Sequence, residues 1–172
     1  HKIIPRYCFG CFKVQVNVKD VLDLLKLLLI FKKTNLISNH RKCMTESRPY
    51  VDGSYKGFIY CSSATEAKQT VECLTQTAEE LFANSVIKRG CSEFAIEHPG
   101  YGVMDEKNPI AEIYTDTWEE IEQNFDQKQP AIKNDFHDCR KRVLSDLTVH
   151  DILVVKNWSV YASRNGDTSY IG

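Results

Sequence analysis

The sequence predicts an α+β fold: a ferredoxin-like βαββαβ sandwich with an antiparallel four-stranded sheet, followed by a C-terminal helical extension. Three observations carry this reading. Between Tyr7 and Phe94 the chain runs strand, helix, strand, strand, helix, strand. An Asp52-Gly53 pair divides the two middle strands, a dipeptide suited to a hairpin. The two helical stretches are an apolar run from Val21 to Phe31 and a segment opened by Ser63-Ala64-Thr65-Glu66. Residues 1–96 are expected to form the core and 97–172 an extension packed on it, as one compact domain.

Phe12 to Val18 alternate strictly, which places Phe12, Val14, Val16 and Val18 on one face of strand 1. Helix 1 follows, with Asn17 as the expected cap, and runs to about Lys33 before a loop rich in Asn and Ser. Its apolar residues cover more than one face, because Leu22 and Leu29 lie off the stripe of Val21, Leu24, Leu25 and Leu28. Something besides the sheet must therefore cover it. Strands 2 and 3 are expected over Arg41–Pro49 and Tyr55–Cys61. Ser63 and Glu66 form a capping box for helix 2, whose stripe is Ala67, Val71, Leu74, Ala78 and Leu81 and which Asn84-Ser85 ends. Val86–Phe94 supplies strand 4. Beyond a Gly- and Pro-containing loop, helices are expected from Thr117, with Trp118, Ile121 and Phe125 on one side; over Asp135–Leu147; and from Val149 to about Asn165, with Ile152, Val155, Trp158 and Tyr161 on one stripe and Gly166 as the stop. These helices are expected to pack on the uncovered side of helix 1.

With 172 residues and 42% apolar content, the chain can bury a full core, which argues against disorder. Its net charge of -1 conceals an asymmetry. Residues 1–94 hold 14 Lys+Arg against 9 Asp+Glu, and residues 95–172 hold 8 against 14. Mutual attraction between the two parts explains this better than a basic sheet surface awaiting an anion, though both fit. The 7 cysteines are odd in number, no secretory apolar region precedes Cys8, and a reducing cytoplasm is the expected location. The run Val21–Phe31, interrupted by Asp23 and Lys26, is too short to cross a bilayer, so no membrane partner is expected. A start at His1 suggests a module cut from a longer protein.

Three segments, Ile4-Pro5-Arg6-Tyr7-Cys8-Phe9-Gly10-Cys11-Phe12-Lys13-Val14, Tyr55-Lys56-Gly57-Phe58-Ile59-Tyr60-Cys61 and Lys88-Arg89-Gly90-Cys91-Ser92-Glu93-Phe94, resemble parts of uncharacterised bacterial proteins, some with tetratricopeptide-type repeats before such a region. The resemblance implies a module of a larger protein. It implies no activity.

In the expected sheet order 4-1-3-2, Cys8 and Cys11 begin strand 1, Cys61 ends strand 3 and Cys91 lies in the later half of strand 4, so these four approach one edge. Strands lie about 4.8 Å apart and two thiolates on one zinc about 3.8 Å apart, so Cys61 and Cys91 could reach a zinc held by Cys8 and Cys11. Cys43, with His40, is two strands away. The pleat argues the other way: Cys11 shares parity with Lys13 and Gln15, and Cys61 with Ile59, so the faces do not obviously agree. A single C-x-x-C that leads into a strand lacks the helix N-terminus that activates a redox thiol. Ordinary buried thiols therefore rank ahead of zinc, and zinc ahead of iron–sulfur or redox roles.

Lys56-Gly57-Phe58-Ile59-Tyr60 resembles the aromatic octapeptide of RNA-recognition motifs, which would put Phe58 and Tyr60 on the open sheet face beside Lys13 and Gln15. Ile59 stands where that pattern has a small residue, and Ser63 where it has an aromatic. Arg48 and Arg89 are further candidate anion contacts. The chain has no Gly-rich phosphate loop, nucleophile elbow or H-E-x-x-H. The leading expectation is a noncatalytic binding module of a larger intracellular protein, taking a protein or small ligand or pairing with a second copy. A Cys- or metal-dependent enzyme comes second and an RNA-binding module third.

Overall fold

The computed structural model describes residues 4, 6–33, 39–104, 116–128, 143–144 and 147–171. Its main sheet contains β1 (Phe12–Val18), β2 (Arg41–Thr45), β3 (Tyr55–Cys61) and β4 (Ser85–Arg89) in the order β2-β3-β1-β4, every neighbouring pair antiparallel. This is the expected order. The register sets Lys13 opposite Tyr60 on one side and Lys88 on the other, and Gln15 opposite Phe58 and Val86.

Helices α1 (Val21–Lys33) and α2 (Ala64–Thr77) cover one face. Val14, Val16, Leu24, Leu27, Ile59, Ala67 and Leu74 are wholly buried between them, each large side chain contributing roughly 1.5–3 kcal/mol. The cap of α1 is Asp20, whose Oδ1 accepts from the Asp23 N–H at 2.8 Å. Asn17 is not the cap, because Asn17 and Val18 still pair with β3 and the helix cannot begin until the strand has ended. The α2 start keeps half of its capping box: Ser63 Oγ accepts from the Glu66 N–H, while the Glu66 carboxylate reaches the Ser62 N–H and hydroxyl instead of Ser63.

Four boundaries differ from expectation. β2 stops at Thr45, although the Glu46 N–H still bonds to Ser54 O at 2.8 Å, because Glu46 turns to clasp Arg48 before Pro49. Helix 2 breaks at Ala78, which has extended φ, and resumes as α3 (Glu79–Phe82). β4 ends at Arg89 instead of running to Phe94: a last bond runs from the Gly90 N–H to Cys11 O at 2.9 Å, at a position where a Cβ would sit 2.2 Å from the Cys11 Sγ, and Phe94–Glu97 forms the short helix α4. Of the helix expected over Asp135–Leu147, residues 135–142 and 145–146 lie outside the described residues, and Val143–Leu144 (β5) pairs with Leu147–Thr148 (β6) as a small hairpin.

Helix α5 (Asp116–Lys128) leaves Ile121 and Phe125 more than half exposed, so those apolar residues are not buried against the core. The last helix, α6 (Val149–Arg164), does dock. Its Thr148–Asp151 capping box forms, and Trp158 and Ala162 are buried in the main core with Val154, Val155 and Tyr161 beside them. Ile152, expected on that stripe, is 43% exposed, and Val154 takes part in the packing instead. Polar ties bind both ends of α1: Lys32 pairs with Asp151 at 2.6 Å, and the Val21 N–H donates to Asp167 Oδ2 at 2.8 Å. Gly166 stops α6 with φ of 75°, a conformation that favours glycine.

A second cluster sits beyond the edge where β1 begins. Ile4, Cys8, Phe9 and Tyr101 are buried there, with Cys91, Phe94 and Met104 against them. Tyr101 donates to Cys8 O at 2.9 Å and meets Phe9 and Phe94 edge to face.

Candidate functional site

The face of the sheet away from α1 and α2 is a recess of about 550 Å³. Strand parity builds it. The strands that send valines, Cys43, Ile59 and Ile87 toward the helices send their alternate residues here: Lys13 and Gln15 from β1, Lys42 and Met44 from β2, Lys56, Phe58 and Tyr60 from β3, Lys88 from β4. The β2–β3 connection walls one end with Glu46, Arg48 and Val51, and Gly90–Glu93 with Ile96 wall the other. Among the described residues, five cations thus face two carboxylates, Glu46 and Glu93.

The lysines are held in distinct ways. Lys13 is buried and donates to Gly90 O at 2.9 Å and to Ser92 Oγ at 2.8 Å. Burial lowers its pKa, against the pull of Glu93 and with the push of Lys88 and Lys42. Lys56 is 2% exposed and lies 3.7 Å from Glu46. Lys88 is also lowered, first by partial burial and then by Lys56. Lys13 and Lys42 stand 5.6 and 5.3 Å from the centroid of the Phe58 ring, and Lys42 is 5.7 Å from that of Tyr60. Phe58 is consequently buried beneath ammonium groups, whereas Tyr60 remains partly open. Among the described residues no carboxylate pairs with Lys42 or Lys88.

The two candidate arginines occupy other roles. Arg48 reaches the recess, but its Nε and Nη2 hold the Glu46 carboxylate at 2.8 and 2.7 Å. That pair, with Lys56 near it, pulls the Glu46 pKa down to about 2. Arg89 is not on the open face. It has the parity of Ile87, and its guanidinium donates to Phe9 O and Met104 O with Phe9, Phe12 and Tyr101 around it. It is a clamp joining the second aromatic cluster to the sheet.

Cys8, Cys11, Cys61 and Cys91 do come to the edge where β1 begins, as the register of Phe12 with Cys61 and Arg89 requires. They divide among environments. Cys61 lies in the main core beside Thr70, Cys8 and Cys91 pack in the second cluster, and Cys11 Sγ rests against Gly90. Cys91, not expected on the strand boundary, also touches the recess wall. Burial pushes the Cys11 and Cys61 thiols up, and the neighbouring Cys91 adds to the effect at Cys11. Cys43, on the helix side of β2, is raised to about 12 by burial alone. Among the described residues no three His, Cys, Asp or Glu side chains gather closely enough to share an ion.

The sequence reading identified Lys13, Phe58 and Tyr60 but not Lys42, Lys56, Lys88 or Glu46. Writing the alternate residues of all four strands in the order 4-1-3-2 would have found the lysines. A larger recess, about 740 Å³, lies between α1 and the α2–α3 junction, but its charges are of both signs and Asp23 already binds Lys19 and Lys26 at 3.6 and 2.7 Å. It gathers no common chemistry, and the sheet face is the better candidate. No family model, curated protein or solved structure matches the chain, so the reading of this site rests on its own geometry.

Proposed function

We propose that this chain is a noncatalytic binding module of a larger cytoplasmic protein, and that its open sheet face takes an anionic ligand. The observation that supports it is the set of lysines around one recess, two of them without a carboxylate partner among the described residues. A cation cluster with little internal neutralisation attracts anions and raises their association rate. The composition does not dictate this, since the chain as a whole carries -1.

The enzyme alternative draws less support, because an activated cysteine needs a lowered pKa and burial drives Cys11 and Cys61 the other way. RNA recognition of the expected kind needs two free ring faces, and lysines cover Phe58. Free thiols at Cys8, Cys11, Cys43, Cys61, Cys73 and Cys91 suit a reducing compartment. Among the described residues no helix is long and apolar enough to cross a membrane.

The test is amide-shift mapping by NMR with a short heparin oligosaccharide as a generic polyanion and oligolysine as the control. Heparin should move the amides of Lys13, Gln15, Lys42, Phe58, Tyr60 and Lys88. Shifts confined to other surfaces, or an equal response to oligolysine, would refute the proposal.

A further inference from the structure

We infer that the recess is built for a compact oligophosphate, several adjacent phosphoryl groups on one small molecule. This rests on the anion-binding reading above and narrows it to one ligand chemistry.

Guanidinium groups match carboxylate and phosphate alike two bonds at a time, whereas ammonium groups act as point charges and answer to the density of negative charge instead of its planar shape. Here the one arginine is already bound to Glu46, and the free capacity lies in ammonium groups. Lys42 and Lys88 have no carboxylate partner among the described residues, and Lys13 lies between their strands and faces Lys88 across the β1–β4 pair. A single carboxylate would leave most of that charge unanswered. Adjacent phosphoryl groups place several negative charges within reach of all three strands at once.

The size of the recess sets the next limit. About 550 Å³ is within the roughly 300–1,000 Å³ range of small-molecule sites, and both ends along the strand direction are walled. Tyr60 is partly exposed, with the Lys42 ammonium 5.7 Å from its ring centroid. A phosphate chain alone would use the lysines, and a nucleoside attached to it would add stacking on Tyr60.

The experiment is calorimetric titration of the intact chain with inorganic tripolyphosphate, a nucleoside triphosphate, citrate and a single-stranded DNA of about 12 nucleotides. Tripolyphosphate should bind more tightly than citrate. The double variant Lys42→Glu/Lys88→Glu, at two exposed positions, should bind it at least about tenfold more weakly, about 1.4 kcal/mol, with its melting temperature maintained. Tighter binding of the nucleoside triphosphate, lost in Tyr60→Ala, would assign the recess to nucleotides; equal affinity would assign it to the phosphate chain, and both results uphold the inference. Citrate binding as tightly as tripolyphosphate, binding only of DNA, or affinity unchanged in the double variant would overturn it. If tripolyphosphate fails to bind while heparin still moves the open-face amides, this inference falls and the broader anion-binding proposal stands.

Discussion

Gly57 looks in the sequence like the small residue of an RNA-binding octapeptide, yet in the fold it faces α1. A Cβ at this position would lie 2.5 Å from Leu27 Cδ2 and 3.2 Å from two ring carbons of Phe31. Leu27 is fully buried and Phe31 nearly so, and neither can swing into solvent. Gly57→Ala should therefore overpack the core at a cost of about 1–3 kcal/mol, offset by roughly 0.5–1 kcal/mol from the lower backbone entropy of alanine. A net loss of about 1–2 kcal/mol corresponds to a fall in melting temperature of roughly 2–8 °C for a domain of this size. Leu27→Ala alone should cost about 2–5 kcal/mol by leaving a cavity. The added methyl group would fill part of that cavity, so the double variant should be more stable than the sum of the singles implies. Urea denaturation of all four proteins completes the cycle. A neutral Gly57→Ala, or single effects that add within about 0.5 kcal/mol, would show that glycine is not there to let α1 approach the sheet.

Trp158→Ala should lower stability by about 3–5 kcal/mol in urea denaturation, because Trp158 is 6% exposed and anchors α6 in the main core; a loss below about 1 kcal/mol would mean that α6 contributes little to the core. Asp167 feels opposing effects: burial raises its pKa, but the Tyr55 phenol and the Ser169 and Val21 N–H groups outweigh it and hold the pKa at about 2. Its contribution to stability is present above the ordinary aspartate pKa and fades as pH falls from about 4 toward 2, so Asp167→Asn should flatten the acid limb of a melting-temperature profile, and an unchanged limb would contradict this. Folding lowers the Lys88 pKa as well, so the pH slope has the same sign, but here the native state disfavours the charged form, and stability rises as pH climbs toward the ordinary lysine range and that charge is removed. Lys88→Gln should leave the melting temperature at neutral pH unchanged or higher, and a clear fall would assign Lys88 a structural role.

Local chemistry explains what could be read from the sequence. The strict alternation of β1, the hairpin at Asp52-Gly53, with Gly53 at φ of 80°, and the capping boxes at Ser63 and Thr148 each depend on residues close in the chain. What escaped depends on distant partners. Gly90, just past β4, must be a glycine because Cys11, nearly 80 positions upstream, occupies the space where a Cβ would lie. Arg89 reads as a surface cation until Phe9, Phe12 and Tyr101 surround it. Lys56 is the hardest case, since a lysine at 2% exposure follows only from Glu46 being held beside it by a connection that no periodicity describes. The cysteines reached the expected edge, but alternate residues point to different sides there and adjacency along the edge did not become a shared site.

The lysine recess and the docking of α6 are not independent. Glu46 contributes its carboxylate to the recess, where it holds Arg48 and Lys56, and its backbone oxygen accepts from the Tyr161 hydroxyl of α6. Tyr161 also packs edge to face on Tyr55, which precedes Lys56 in β3. Loss of α6 packing would therefore loosen one wall of the recess through two contacts, and the first charge affected would be the counter-ion of the most buried lysine. A buried lysine whose carboxylate moves away is left with an uncompensated charge and must draw in solvent, which weakens a convergent cation site. Trp158→Ala should thus reduce affinity for tripolyphosphate under conditions where the protein remains folded, while Ile121→Ala, an exposed change on α5, should not. Equal affinities for the two variants would show that the sheet holds its open face without help from the C-terminal helix.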